Sequence, residues 1–73
     1  MNLDQAIHCQ AGLLGGRPVF VDTRVPVESL FLYLKSGGTL EQFLVDFPGV
    51  TREQAAAALD AASQALSSRA TAA

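Results

Sequence analysis

Two repeated helix-start signals limit the fold of this chain more than any other feature of its sequence. A threonine followed three residues later by a glutamine occurs at Thr39–Gln42 and again at Thr51–Gln54. In such a capping box the hydroxyl accepts a hydrogen bond from a backbone N–H of the first turn, and the amide side chain reaches back to the N–H of the threonine. Gly37-Gly38 and Pro48-Gly49, which precede the two signals, are typical of helix ends. The C-terminal two thirds of the chain is therefore predicted to form three separate helices.

The spacing of apolar residues gives each predicted helix one buried face. The first helix opens at Pro26, because a proline at the first helical position loses no intrahelical hydrogen bond. Apolar residues then recur at i, i+3, i+4 and i+7, as they do on one side of a helix. The core is predicted to consist of Phe31, Leu34, Leu40, Phe43, Leu44, Phe47, Val50 and Leu59. The predicted fold is mainly α: a three-helix, homeodomain-like helix-turn-helix (winged-helix-like) with a short N-terminal strand or hairpin.

The N-terminal third has the character of turns and a strand. Gly15-Gly16-Arg17-Pro18 is a turn sequence, because glycine tolerates positive φ and proline resists helix formation. The β-branched and aromatic run Val19-Phe20-Val21 predicts one short strand. Its partner is either the segment around Ile7 or the same strand of a second copy. We therefore predict an extended segment with a short strand over residues 1–25, a trihelical domain over 26–67, and a frayed tail over 68–73.

The small size of the chain predicts a homodimer. With 73 residues, 49% of them hydrophobic, and a single cysteine, the chain has a marginal core and cannot form an internal disulfide. Oligomerisation is the remaining way to stabilise so small a core. We therefore expect a two-fold dimer through the strand region and the first helix. One small core cannot enclose all of the apolar side chains of this chain. The ones left over include Leu32, Tyr33, Val45 and Phe47. The predicted interface residues are Phe20, Val21, Leu32 and Tyr33.

Other features bear on location and chemistry. No apolar run is long enough to cross a membrane and no secretory signal is visible, so the unpaired thiol of Cys9 indicates the cytoplasm. His8 and Cys9 are adjacent and no second cluster completes a metal site. Side chains of adjacent extended residues point apart, and no third group orients this pair for nucleophilic catalysis. We expect no metal, no cofactor and no enzymatic activity.

The helix pair separated by Pro48-Gly49-Val50 has the proportions of a DNA-binding helix-turn-helix, whose second helix enters the major groove. The candidate DNA-binding residues are Thr51, Arg52, Gln54 and Lys35. Against this interpretation, Gln54 is already explained as a capping residue, and the net charge is −2, whereas phosphate neutralisation supplies most non-specific affinity for DNA. A module that binds protein and not DNA is the alternative.

The segment over residues 15–27, GGRPVFVDTRVPV, followed by Gly37-Gly38, Thr39, Phe47-Pro48 and Thr51, resembles domain of unknown function 433. That family contains predicted antitoxins of bacterial and archaeal toxin–antitoxin pairs. The resemblance implies a cytoplasmic, homodimeric, VapB-like antitoxin whose partner is a PIN-like ribonuclease toxin and which also represses its own operon. One departure is Asp22, which stands where the family usually has glycine.

Three residues in and beside this motif are the candidate toxin-binding residues: Arg24, Thr23 and Arg17. Arg24 is either a surface arginine that caps carbonyls or pairs with Asp22, or a fixed cation available to a phosphate or to the acidic cluster of a nuclease. An acid cluster built to hold a metal is also complemented by an inserted guanidinium. In the second case Thr23 orients the segment that carries Arg24.

Overall fold

The computed structural model describes residues 1–9 and 14–72. It is mainly helical with one short two-stranded hairpin, which confirms the predicted fold class. In chain order the elements are α1 (Leu3–Ala6), β1 (Ile7–His8), a 3₁₀ turn (Leu14–Gly16), β2 (Val19–Phe20), α2 (Val27–Lys35), α3 (Leu40–Asp46) and α4 (Arg52–Ala72).

The helix boundaries follow the predicted punctuation. Thr39 Oγ1 accepts from the N–H of Gln42 at 3.1 Å, and Gln42 Oε1 accepts from the N–H of Thr39 at 3.0 Å, so both halves of the capping box are formed. At the end of α2, Gly37 has φ +97° and its N–H donates to the carbonyl of Leu34. The N–H of Gly38 donates to the carbonyl of Tyr33. These two bonds form a Schellman motif, which requires positive φ at the first glycine.

The short strand finds its partner within the same chain. Ile7 lies opposite Phe20 and His8 opposite Val19 in an antiparallel pair. Of the two alternatives left by the sequence, the segment around Ile7 is therefore the one realised.

The ends of the chain are more helical than predicted. Residues 1–25 were expected to be extended, but α1 begins after Asn2, whose side chain forms a capping box with Gln5. The tail expected to fray from residue 68 continues α4 to Ala72, because an alanine-rich segment has high helix propensity. Residues 10–13 and 73, which belong to the same two predicted segments, lie outside the described residues.

The core is centred on two aromatic rings, with the Phe20 and Phe43 centroids 6.3 Å apart. Phe31, predicted to be in the core, is 37% exposed. The reason is that α2 turns Leu30 inward, and the next residue along a helix points about 100° away. Most of the other predicted core residues are partly buried against this cluster. The buried hydrophobic residues are Ala6, Val19, Phe20, Val27, Leu30, Phe43, Val50, Ala55 and Ala58.

Two features are absent from residues 1–9 and 14–72. None of the helices combines the length and the apolar character needed to cross a bilayer. No group of three or more His, Cys, Asp and Glu side chains is arranged to hold a metal ion in the described ranges.

Candidate functional site

The segment between β2 and α2, residues 21–25, forms a tight loop that carries Arg24; we call it the Arg24 loop. Its two ends are joined by a hydrogen bond of 3.0 Å from the N–H of Phe20 to the carbonyl of Val25. Within it, the Thr23 hydroxyl donates to the carbonyl of Phe20 at 2.8 Å and accepts from the N–H of Val25 at 3.0 Å. The Thr23 side chain therefore fixes the conformation of the loop from inside.

Two neighbouring elements hold the same loop from outside. The N–H of Val21 donates to the carbonyl of Ala6 at 2.9 Å. Gln54 Nε2, on the first turn of α4, donates to the carbonyl of Val21 at 3.0 Å. The loop is thus fixed to the end of α1 and to the start of α4, although residues 21 and 54 are far apart in sequence.

Asp22 adopts a left-handed conformation with φ +64°, and it is the sole non-glycine residue with positive φ in the described part of the chain. L-residues pay about 1–2 kcal/mol for this conformation, and aspartate and asparagine are among those that tolerate it. The geometry explains why glycine suits this position in a sequence of this pattern. It also means that Asp22 preserves the turn.

Arg24 is exposed at this rigid loop. Among the described residues it makes no hydrogen bond or ion pair, so the local pairing with Asp22 considered for it is not formed. Arg17, in contrast, donates to Glu28 at 2.9 Å at the start of α2. The structure therefore separates the two candidate arginines: one is committed to an ion pair and the other has a free guanidinium within the described residues.

The predicted DNA-binding residues do not form one cationic surface. Gln54 is 6% exposed, and its Oε1 accepts from the N–H of Thr51 at 2.9 Å while its Nε2 binds Val21. A base edge cannot reach this side chain in the folded chain, which corrects its predicted role. Arg52 pairs with Glu41 of α3, and Lys35 lies at the far end of α2.

The outer side of α4 is acidic and partly covered. Glu53 and Asp60 are exposed there, and both repel phosphates. The N-terminal residues Met1 to Leu3 lie against the side of α4 that includes Ala57 and Ala61, with a shallow groove between them. The N-terminal residues therefore border this side of the predicted recognition helix.

A second surface surrounds Tyr33, between α2 and α3. The Tyr33 hydroxyl donates to Asp46 Oδ2 at 2.6 Å, and its ring meets Phe43 edge-on with the centroids 5.6 Å apart. The hydrogen bond to Asp46, then desolvation and then the charge of Asp46 raise the pKa of Tyr33 above its ordinary value. A Cβ at position 38 would overlap the Tyr33 ring, so glycine is needed there for the ring to pack.

Tyr33 stands between two open grooves. One is lined by Ser29, Leu32, Tyr33, Ser36 and Gly38, and the other by Tyr33, Glu41, Gln42, Val45 and Asp46. Leu32 is 53% exposed and Val45 77% exposed. We use the name Tyr33 surface for Leu32, Tyr33 and Val45, with Lys35 and Asp46 at its margins.

The fold places the predicted dimer residues in two different environments, the surface and the core. Leu32 and Tyr33 belong to the Tyr33 surface, whereas Phe20 is fully buried in the core and Val21 is half-buried. Phe20 therefore cannot contact a second copy, which corrects its predicted role. The reason is that the Phe20 ring packs against Phe43 of α3 in the core.

The sequence analysis did not foresee the bond from Gln54 to Val21 and did not single out Asp46. The hydrogen bond from Gln54 to the Arg24 loop could not be foreseen, because capping already accounted for the glutamine in the sequence. Asp46 carried a signal: it is an acid in the last turn of α3, where no basic residue is present and where the helix dipole disfavours negative charge. Such a placement needs a partner, and the structure supplies Tyr33.

The comparisons with known proteins identify a family. The model described as "Protein of unknown function (DUF433)" matches residues 7–61, and the chain belongs to this family. A crystal structure of a DUF433 member protein from Anabaena variabilis ATCC 29413 is similar in fold, with a TM-score of 0.75 and 32% sequence identity. The similarity covers 85% of this chain but 61% of that one. No curated protein matches the chain.

The extent of the family match relates to the sites described above. Residues 7–61 include β1, the Arg24 loop, the Tyr33 surface and the first half of α4. They leave out α1, whose Ala6 carbonyl holds Val21. Both candidate surfaces therefore belong to the part of the chain that the family shares.

Proposed function

We propose that this chain is a protein-binding module of the antitoxin type, which acts in the cytoplasm and neutralises a PIN-like ribonuclease through its Arg24 loop. The observation that carries the proposal is the free guanidinium of Arg24 on a loop whose conformation is fixed by hydrogen bonds from three sides. The antitoxin role is suggested by the resemblance of the motif around Arg24 to that of predicted antitoxins. An exposed thiol such as that of Cys9 is compatible with a reducing compartment.

The chemistry of the proposed contact is charge replacement. A PIN-like nuclease holds carboxylates close together around a divalent metal, and that cluster is repulsive without a cation. A guanidinium presents five donors in a planar fork and stays protonated, so it can bind two carboxylates at once. A fixed loop pays less conformational entropy on binding than a mobile one. These properties favour Arg24 as the residue that occupies the acidic site.

A direct test expresses the product of the adjacent open reading frame, measures whether it is a ribonuclease, and measures its inhibition by this chain. Arg24→Ala is expected to weaken binding by about 30-fold or more, because truncating one partner of a buried interfacial charge pair costs about 2–5 kcal/mol. Arg17→Ala is the matched control: the same residue type is removed from a neighbouring exposed position where it already pairs with Glu28. The control is expected to inhibit within a few-fold of the unchanged protein.

Two outcomes would contradict the proposal. Full inhibition by the Arg24→Ala protein, with unchanged thermal stability, would remove the Arg24 loop from the interface. Failure of the unchanged protein to bind or inhibit the nuclease would remove the antitoxin role.

Binding to operator DNA is the other function considered for this fold, and the site geometry favours it less. Of the four candidate residues, Gln54 is buried, Arg52 is paired, and the exposed side of α4 carries Glu53 and Asp60. A gel-shift titration with the upstream DNA at low and high salt separates the two functions. Specific binding that weakens steeply with salt would support DNA recognition, because phosphate contacts release counterions. We expect no such binding.

A further inference from the structure

We propose that the Tyr33 surface docks a second copy of this chain in a two-fold arrangement in which Lys35 of each copy pairs with Asp46 of the other. The proposal is independent of the nuclease-binding role of Arg24. It changes the interface expected from the sequence, because the buried Phe20 leaves it and the groove residues of α3 enter it.

The first step is the apolar content of the surface. Leu32 at 53% and Val45 at 77% exposure lie on either side of Tyr33, which lines two open grooves. Isolated exposed apolar residues are common, but a continuous strip across two elements marks a contact site. The polar members of the surface are already partly satisfied, since the Tyr33 hydroxyl is bound to Asp46 and the Ser36 hydroxyl to the carbonyl of Leu32.

The second step is the distribution of charge. On α2, Lys35 follows Leu32 by three residues and therefore lies on the side of Leu32 away from Tyr33. Asp46 lies on the opposite side, beyond the tyrosine ring. Lys35 has no ion pair with any described residue, and Asp46 has none either. The strip thus has a cation at one margin and an anion at the other.

The third step is symmetry. In a two-fold interface residue i of one copy meets residue j of the other, and j meets i. A surface with opposite charges on either side of a central apolar strip satisfies this rule with two identical ion pairs. A partner of unrelated sequence has no reason to match both margins, so the charge pattern favours a second copy.

Sedimentation equilibrium of charge-reversal variants provides the test. Lys35→Asp gives a copy with two acids at the margins, and Asp46→Lys gives a copy with two lysines. Each variant repels itself, so we expect its self-association to be at least about tenfold weaker than that of the unchanged chain. An equimolar mixture of the two variants restores both ion pairs and is expected to form a heterodimer at close to the original affinity.

A matched pair of leucine variants tests the apolar part of the surface. Leu32→Gln is expected to weaken self-association by at least about tenfold, because an apolar side chain at the centre of the interface is lost. Leu66→Gln changes another exposed leucine, 67% accessible on α4, and is expected to leave self-association unchanged. Circular dichroism checks that every variant retains its helical content.

Three outcomes of these measurements would overturn the proposal. The proposal is refuted if the unchanged chain is monomeric at high concentration, if a single charge variant associates as strongly as the unchanged chain, or if the folded mixture stays monomeric. If Asp46→Lys unfolds, Lys35→Asp is compared with Lys35→Ala instead. Repulsion from Asp46 of the second copy requires the aspartate variant to associate more weakly, and equal affinities would refute the pairing.

Discussion

Gln42 and Gln54 occupy the same position in two capping boxes, yet their surroundings differ. Both side chains accept a hydrogen bond from the N–H of the preceding threonine. Gln42 is exposed, and its amide nitrogen makes no hydrogen bond to a described residue, whereas Gln54 is buried and its Nε2 donates to the carbonyl of Val21. At this position the nitrogen of the amide, and not its oxygen, connects the start of α4 to the Arg24 loop.

Replacing each glutamine by glutamate distinguishes the energetic contribution of the helix cap from that of the hydrogen bond to Val21. Glutamate at either position keeps an oxygen acceptor for the threonine N–H, and at an exposed helix start its charge is mildly favourable. We therefore expect Gln42→Glu to change the free energy of unfolding by less than about 0.5 kcal/mol. Gln54→Glu removes the donor and turns a carboxylate toward a carbonyl, so a loss of about 1–3 kcal/mol is expected from chemical denaturation. Equal changes in the free energy of unfolding for the two variants would show that the hydrogen bond to Val21 does not stabilise the fold.

At the scale of elements, the sequence predicts those boundaries that depend on local chemistry. Thr39 and Gly37 act through backbone groups within a few residues, so the beginning of α3 and the end of α2 follow from the sequence. Helix α1 was missed, because four residues are too few to show an apolar period, although the Asn2 and Gln5 signal was present.

Pairings between distant elements lie beyond such local signals. The bond from Tyr33 to Asp46 and the bond from Gln54 to Val21 depend on how whole helices pack. For the same reason the sequence located the motif around Arg24 but not the residues that hold it.

The contact between α2 and α3 predicts a dependence of stability on pH. The hydrogen bond to Asp46 raises the pKa of Tyr33 above its ordinary value, so the folded chain holds this proton more tightly than the unfolded chain. The resulting contribution is fully present below the pKa of an unfolded tyrosine, about 10, and is lost as the pH rises through the higher folded pKa. Unfolding experiments should therefore show stability declining from about pH 10 upward.

Asp46→Asn tests this dependence. It removes the charge and the strongest acceptor, so the pKa of Tyr33 is expected to fall toward its ordinary value and the alkaline decline in stability to become shallower. Tyr33 is the single tyrosine of the chain and tryptophan is absent. Near-ultraviolet absorbance therefore reports its ionisation alone. An unchanged titration midpoint in the variant would contradict the assigned cause.

At the scale of the whole molecule, the N-terminal segment completes the structure from two sides. Ala6 is fully buried, its carbonyl accepts from Val21, and β1 pairs with β2. Residues 1–3 also lie along α4. The first residues of the chain therefore contribute both to the core and to the position of the Arg24 loop, even though the family match begins only at residue 7.

Deleting residues 1–6 is expected to lower the free energy of unfolding by about 2 kcal/mol, because the Val21 N–H loses its acceptor and the buried Ala6 side chain is removed. For a domain of this size such a loss lowers the melting temperature by about 8–16 °C. Deleting residues 68–73, which include the exposed Ser68 and Arg69, is the control and should cost less than about 0.5 kcal/mol. If the shorter chain does not fold, Asn2→Ala provides a milder change that removes only the cap of α1, with an expected loss of about 1 kcal/mol. Equal melting temperatures for both deletions and the unchanged chain would mean that α1 does not support the loop, and the fixed conformation on which the role of Arg24 depends would have to come from Thr23 and Gln54 alone.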